Sequence, residues 1–343
     1  VATLSYDVQD AKYSGALDRI VIASQADLAV HVYDPRTNDD ARIPLPGTVS
    51  AIPELFLGLS PDGRKAVVVG GPWIMYVDLV AGTVLGPWGG PSSDANNLVL
   101  VGVAIGNDGY AYVFTRYDGP PSYLFSVNLS TGVLGEAGLR VGVDGVDIYP
   151  FVTASSDGAH IFFISPEGFD RSLYECRPIG GQVTDLSHST TPACGTPWVS
   201  RDGSRVFTGC GATYGAPVET PDGGVLPAGP VLQTPPWAGG DEATPEESPP
   251  IFGLDDPSSG SPVAAAGLDP RASSSATAAV VLALYDPATL ALLSVVPSPL
   301  MVSGGVSSPS GPYYVFYDAS GSTRFELVAT GRYPNVTWGV SSF

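Results

Sequence analysis

Lysine is almost missing from this chain: of its 343 residues only Lys12 and Lys65 carry an ammonium group, and the other 13 of the 15 basic residues are arginines. Acidic residues number 34, about a tenth of the chain, so the formal net charge of -19 reflects a shortage of bases rather than a surplus of acids. Nucleic acid and anionic membrane surfaces both require clustered Lys and Arg, and neither is expected as a partner. Apolar runs of bilayer length are missing too. The best stretch, 278–296, is cut by Asp286 and Pro287, so no membrane span is expected. The chain opens on Val1 with no Met and no apolar leader run, and whatever came first is expected to have been removed.

The parts of common catalytic sites are equally scarce. There are three histidines. His31, within Val30-His31-Val32, reads as a strand interior, His160 opens another strand, and His188, within Ser187-His188-Ser189, reads as a loop residue. No HExxH, CxxC or GxSxG is present, which leaves a tetrahedral zinc site or a hydrolase elbow without support. Acidic pairs occur at Asp39-Asp40, Asp144 with Asp147, Asp241-Glu242 and Asp255-Asp256. None has the carbonyl and carboxylate spacing of a calcium loop, so they read as solvated acidic loops. Neither a metal nor a cofactor is expected. The sequons at Asn128 and Asn335 are weak patterns.

What the chain does have is a recurring turn. Ser60-Pro61-Asp62-Gly63, Gly106-Asn107-Asp108-Gly109, Ser155-Ser156-Asp157-Gly158 and Ser200-Arg201-Asp202-Gly203 each close one apolar run and open another. Weaker copies end at Gly15, Gly260 and Gly311, so successive glycines lie 48, 46, 49, 45, 57 and 51 residues apart. A period of this size filled with short strands predicts an all-β fold, a seven-bladed β-propeller with four antiparallel strands per blade. Residues 1–343 are expected to form one domain.

The second repeat serves as template: an apolar run over 55–59, the Asp62-Gly63 turn, a β-branched run over 65–69, a third strand over 74–78, then the Ala81-Gly82 turn and an outer strand from Thr83. Third strands end on Asp34, Asp78, Asn128 and Asp286, whose side chains can cap the backbone NH groups of the following turn. The wording of repeats two to four, with its SPDG and VDL-x-TG-type turns, resembles the YVTN and YncE-like seven-bladed propellers, a likeness that agrees with the blade count. Asp78 to Gly82 followed by Trp88 approximates the docking motif of quinoprotein propellers. Ala81 stands where that motif has Thr, the Trp comes two residues late and the motif does not recur, so a quinone is not expected.

Cys194 and Cys210 flank the turn at 200–203, and folding the hairpin brings them opposite or nearly so. A cross-strand disulfide is expected, with two buried free thiols as the alternative; the bond would imply an oxidising compartment. Cys176 reads as a small core residue. Residues 211–250, rich in Gly, Pro and acids, read as an insertion in unit five, either a surface loop or an arm over the channel mouth with Trp237 as anchor.

In such a topology the turns between first and second strands, and between third and fourth, share one face. The second-to-third loops and the connections between blades share the other. This second face carries Trp73, Trp88, Arg116, Tyr117, Asp144, Asp147, His188 and Trp237 as candidate binding residues. The leading expectation is a non-enzymatic, extracytoplasmic binding scaffold that takes a protein or a small polar ligand on this face. A lactonase-like hydrolase would need His188, Arg116 or the Asp144/Asp147 pair to converge on the channel. An architectural surface or filament subunit is the third possibility.

Overall fold

In the computed structural model the chain folds into a ring of short antiparallel sheets. The structure describes residues 1–47, 54–90, 99–116, 122–141, 152–164, 172–189, 191, 193–215, 218–220, 223–234, 251–257, 260–272, 279–303, 306–332 and 335–343. Seven inner strands surround the axis: Asp10–Ser14, Phe56–Leu59, Val99–Ile105, Val152–Ala154, Trp198–Val199, Ile251–Asp255 and Gly311–Tyr317. From each, the remaining strands of the blade follow outward in chain order. Blade 7 borrows its outer strand from the start of the chain, where Ala2–Thr3 pairs with Asn335–Ser342 and closes the ring.

Blades need apolar residues on both faces because each face packs on a neighbour. The second strand of blade 2, Lys65–Gly70, shows the consequence: Ala66 and Val68 enter the apolar cluster shared with blade 1, while Val67 and Val69 enter the one shared with blade 3. Seven such clusters occur among the described residues, one for each seam of the ring.

The turn chemistry expected from the sequence is present in detail. In the Ser60, Ser155 and Ser200 turns the serine Oγ donates to Asp62, Asp157 and Asp202 at 2.6, 2.6 and 2.7 Å, and accepts the NH that opens the next strand. The Asp and Asn side chains at the third-strand ends cap their turns: Asp78 accepts from Val80 and Ala81 NH, Asn128 Oδ1 from Ser130 and Thr131 NH, Asp286 from Ala288 and Thr289 NH.

Two weak anchors are displaced. In blade 1 the left-handed residue of the first turn is Asp18, φ 54°, rather than Gly15. In blade 7 Gly311 begins the inner strand, and the turn is Asp318-Ala319-Ser320-Gly321, with φ 73° at Gly321. A hairpin inserted between blades 6 and 7, Leu300–Ser303 with Val306–Pro309, pushes that turn ten residues beyond the expected glycine. The blade count stays at seven.

Blade 5 accounts for the part of the Gly/Pro-rich stretch that is described. After its first three strands, Ala228 bridges Tyr214, and Pro227 and Thr213 carbonyls accept the Gly215 and Gly229 NH groups at 2.9 and 2.8 Å. Between these, the hairpin Val218–Thr220 with Gly223–Leu226 adds to blade 4, Gly223–Leu226 running parallel to Gln182–Ser189. Buried Tyr214, Leu226 and Leu232 show that this portion is built into the ring. Residues 235–250, including Trp237, lie outside the described residues. Cys194 and Cys210 form the expected disulfide, Cα to Cα 5.5 Å, and Cys176 is a buried free thiol.

Candidate functional site: an aromatic pit on the axis

Inner strands enter from the connection between blades and leave through the first turn, so each end of the axis has its own chemistry. The first-turn end is crossed by Arg201. From blade 5 its guanidinium donates to Asp255 Oδ2 of blade 6 at 2.8 Å, to the Tyr317 and Asp318 carbonyls of blade 7 at 2.6 Å each, and lies 5.8 Å from the Tyr13 ring centre of blade 1. Arg36 ties blade 1 to blade 7 beside it, donating to Asp18 at 2.5 Å and Asp318 at 3.1 Å. Burial pushes the Asp255 carboxyl up against the pull of Arg201. Burial also opposes ionisation of Asp318, but hydrogen bonds from Ser320, Ser322 and Thr323 prevail and hold it well below the usual carboxylate range.

The opposite half of the axis is a cavity of about 280 Å³. All seven inner strands line it, from Gln9 and Thr196, which precede two of them, to Lys12, Leu254 and Phe316, with Phe56, Val101 to Val103, Val152, Trp198, Phe252 and Tyr314 between. The pit thus extends along the axis from the blade connections to the residues beside Asp255 and Tyr317, the partners of Arg201. Inner strands leave one edge unpaired, and their free NH groups need acceptors. Asp10 meets this need, accepting from Ala11 NH at 2.8 Å and from Leu57 NH of blade 2 at 2.9 Å. Lys12, beside it, is the one basic side chain of the lining, with its Nζ 3.6 Å from Asp10 Oδ1.

Three inner strands break register within this half. The breaks fall between Leu100 and Gly102, Ile251 and Gly253, and Pro312 and Tyr314, leaving Val101, Phe252 and Tyr313 as the extra residues. A β-bulge re-aims the side chain it carries. Here Phe252 and Tyr313 stack with ring centres 6.0 Å apart, and Tyr313 meets Trp338 edge-on at 5.3 Å. Gly253 permits the approach, since a Cβ there would come within 2.6 Å of the Tyr313 carbonyl oxygen. Tyr313 is 43% exposed, so an aromatic surface runs from the pit outward over blade 7.

The sequence-derived candidates that are described are not among the lining residues of the pit. Trp73 is half-buried and packs on the cluster between blades 1 and 2. Trp88 packs between blades 2 and 3 with its indole over Gly132, where a Cβ would lie 2.4 Å from Nε1. His188 is exposed on the outer strand of blade 4, its ring 6.2 Å from Tyr174. Arg116 ends the second strand of blade 3. Tyr117, Asp144 and Asp147 lie outside the described residues. His31 and His160 also sit away from the axis: His31 stacks on Tyr6 at 3.6 Å between Asp27 and Asp40, and His160 meets buried Glu175 at 2.6 Å. The aromatic pit was missed because bulges have no repeat-level signature. Phe252 and Tyr313 also fall in the repeats whose anchors are weakest.

No protein-family model and no curated protein matches the chain. Among solved structures it is similar to the Cps50 (Swd1) β-propeller domain of Myceliophteria thermophila, with a TM-score of 0.61 and 13% identity over 99% of each chain. It is also similar to Kuenenia stuttgartiensis hydrazine synthase, TM-score 0.61 and 14% identity over 99% of this chain and 97% of that one. A functionally unknown protein from Desulfotomaculum acetoxidans DSM 771 aligns at TM-score 0.53 and 17% identity over 85% of this chain and 86% of the other. At such identities these likenesses carry the fold alone, a seven-bladed β-propeller.

Proposed function

We propose that this protein is a non-catalytic, extracytoplasmic binding scaffold that holds its ligand or partner over the pit, on the face formed by the second-to-third loops and the blade connections. The observation that carries this reading is the pair of stacked bulge residues, Phe252, which lines the pit, and exposed Tyr313 beside it. Contiguous accessible aromatic surface of this kind marks interaction sites, and aromatic anchors dominate binding energy where partners dock. The Cys194–Cys210 bond supports an oxidising compartment. The turns of repeats two to four support a YVTN-type relative as the finer family reading. His31 on a third strand, His160 just before a second strand and His188 on an outer strand give a hydrolase reading little to work with.

Selection from a random peptide library on the native protein, with counter-selection on Phe252→Ala and Tyr313→Ala, tests the proposal. Recovered sequences are expected to depend on both aromatics. Binders that ignore both substitutions would move the interface elsewhere, and turnover of a lactone panel abolished by Lys12→Met would replace the scaffold with an enzyme.

A further inference from the structure

Resting on the scaffold reading, we infer that the pit itself takes a small organic acid: one carboxylate on an aromatic or branched apolar body, anchored by Lys12. Charge decides between the classes of ligand. Both Asp10 oxygens already accept backbone NH groups, from Ala11 and from Leu57, so the carboxylate is committed to holding blades 1 and 2 together. A cationic ligand reaching for Asp10 would meet the Lys12 ammonium 3.6 Å from it.

Lys12 is placed differently. Its Nζ stands 3.6 Å from Asp10, longer than a hydrogen bond, and its side chain is 37% exposed against 16% for Asp10. An ammonium has three donors, and Lys12 lines the cavity. One of only two lysines in a chain of net charge -19 has thus been put on the axis.

The rest of the lining selects the body of the ligand. Phe56, Trp198, Phe252 and Phe316 offer ring faces and edges, and Val152 closes the wall between them. The volume, about 280 Å³, lies at the lower limit for ligand pockets, which suits a molecule of roughly ten heavy atoms. A dianion such as phosphate would meet one cation and apolar walls. A monocarboxylate matches the single ammonium and leaves its body to the rings.

Calorimetric titration of the native protein at pH 7 and low salt with phenylacetate, phenethylamine and benzyl alcohol tests this assignment. Phenylacetate is expected to bind, benzyl alcohol at least about tenfold more weakly, and phenethylamine not at all, the margin reflecting one charge-assisted contact. Lys12→Met should weaken phenylacetate about tenfold or more, Lys12→Arg should retain it within a few fold, and Val152→Trp, which fills the pit, should abolish it. Circular dichroism and melting curves of each variant separate lost binding from lost fold. Equal binding of phenylacetate to native protein and Lys12→Met, equal binding of the three probes, or no binding of phenylacetate to native protein would overturn the inference. Because the library selection turns on Phe252 and Tyr313 rather than Lys12, its success beside a failed titration would remove the acid ligand and leave the scaffold standing.

Discussion

The two ends of the axis are built from the same seven strands and are unlike in almost every physical respect. At the first-turn end, serines and aspartates repeat at fixed places, polar groups find partners inside the turn, and Arg201 and Arg36 stitch blades 5, 6, 7 and 1 together. At the blade-connection end the strands bulge, aromatic rings line a pit, and a disulfide rather than a charge lattice ties the loops of blade 5. On the proposed function, the difference separates holding from binding. Regular turns with satisfied hydrogen bonds contribute stability and offer nothing to a ligand, whereas bulges disrupt the ladder and aim side chains outward.

The strongest way to break this division is to remove its central strut. Arg201→Ala deletes three hydrogen bonds and leaves Asp255, which is 14% exposed, without its cation. Loss of a partly buried, hydrogen-bonded ion pair predicts destabilisation of about 3–4 kcal/mol by urea titration. Ligand binding at the other end should persist. A loss below about 1 kcal/mol would show that the turns alone hold that end.

The wall between the ends supplies the next test. Glu326, on the second strand of blade 7, is 1% exposed, faces Val315 and Ser341 across the sheet, and has an Oε1 without a hydrogen-bond partner. Burial, opposed by Arg324, pushes its carboxyl up to about 7. Below the unfolded-state value both states hold the proton. Between there and pH 7 only the folded state keeps it, so stability falls as pH rises through this window and levels off above it. The loss amounts to about 3 kcal/mol. Glu326→Gln should flatten this slope and melt higher than the native protein at pH 8; an unchanged pH profile would mean that Glu326 finds a partner in solution.

At the binding end, reducing the Cys194–Cys210 bond, which spans 16 residues, should cost about 3 kcal/mol or slightly less in the chain-entropy account. Non-reduced peptide mass spectrometry should recover the pair linked, with Cys176 free. The smallest expected effect on stability sharpens the comparison most. Tyr313→Ala exchanges an exposed ring and should change stability by less than about 0.5 kcal/mol while removing loop-face binding.

How much of this was legible in the sequence follows the same division. SxDG turns and third-strand acids are local chemistry, with donor and acceptor within five residues, so the ring and its blade count could be read from spacing. The Cys194–Cys210 bond was legible for the same reason, both residues flanking one turn. Arg201 was quoted only as part of a turn, because its partners lie 54 to 117 residues away on other blades. Trp73 and Trp88 looked like recognition residues by type and face, yet large rings near strand ends are also what seals a seam between blades. Lys12 stands out in the sequence only as one of two lysines, and its place on the axis is hidden by the weak anchor of the first repeat.

The central claim, an axis closed by Arg201 at one end and open onto aromatic rings at the other, is tested most directly by hydroxyl-radical footprinting of the native protein beside Arg201→Ala. The account predicts rapid oxidation of Tyr313 and measurable oxidation of Phe252 and Trp198 in both, with Tyr13 oxidised faster once the guanidinium over its ring is gone. Tyr13 reacting as fast as Tyr313 in the native protein, or Trp198 protected in both, would contradict it.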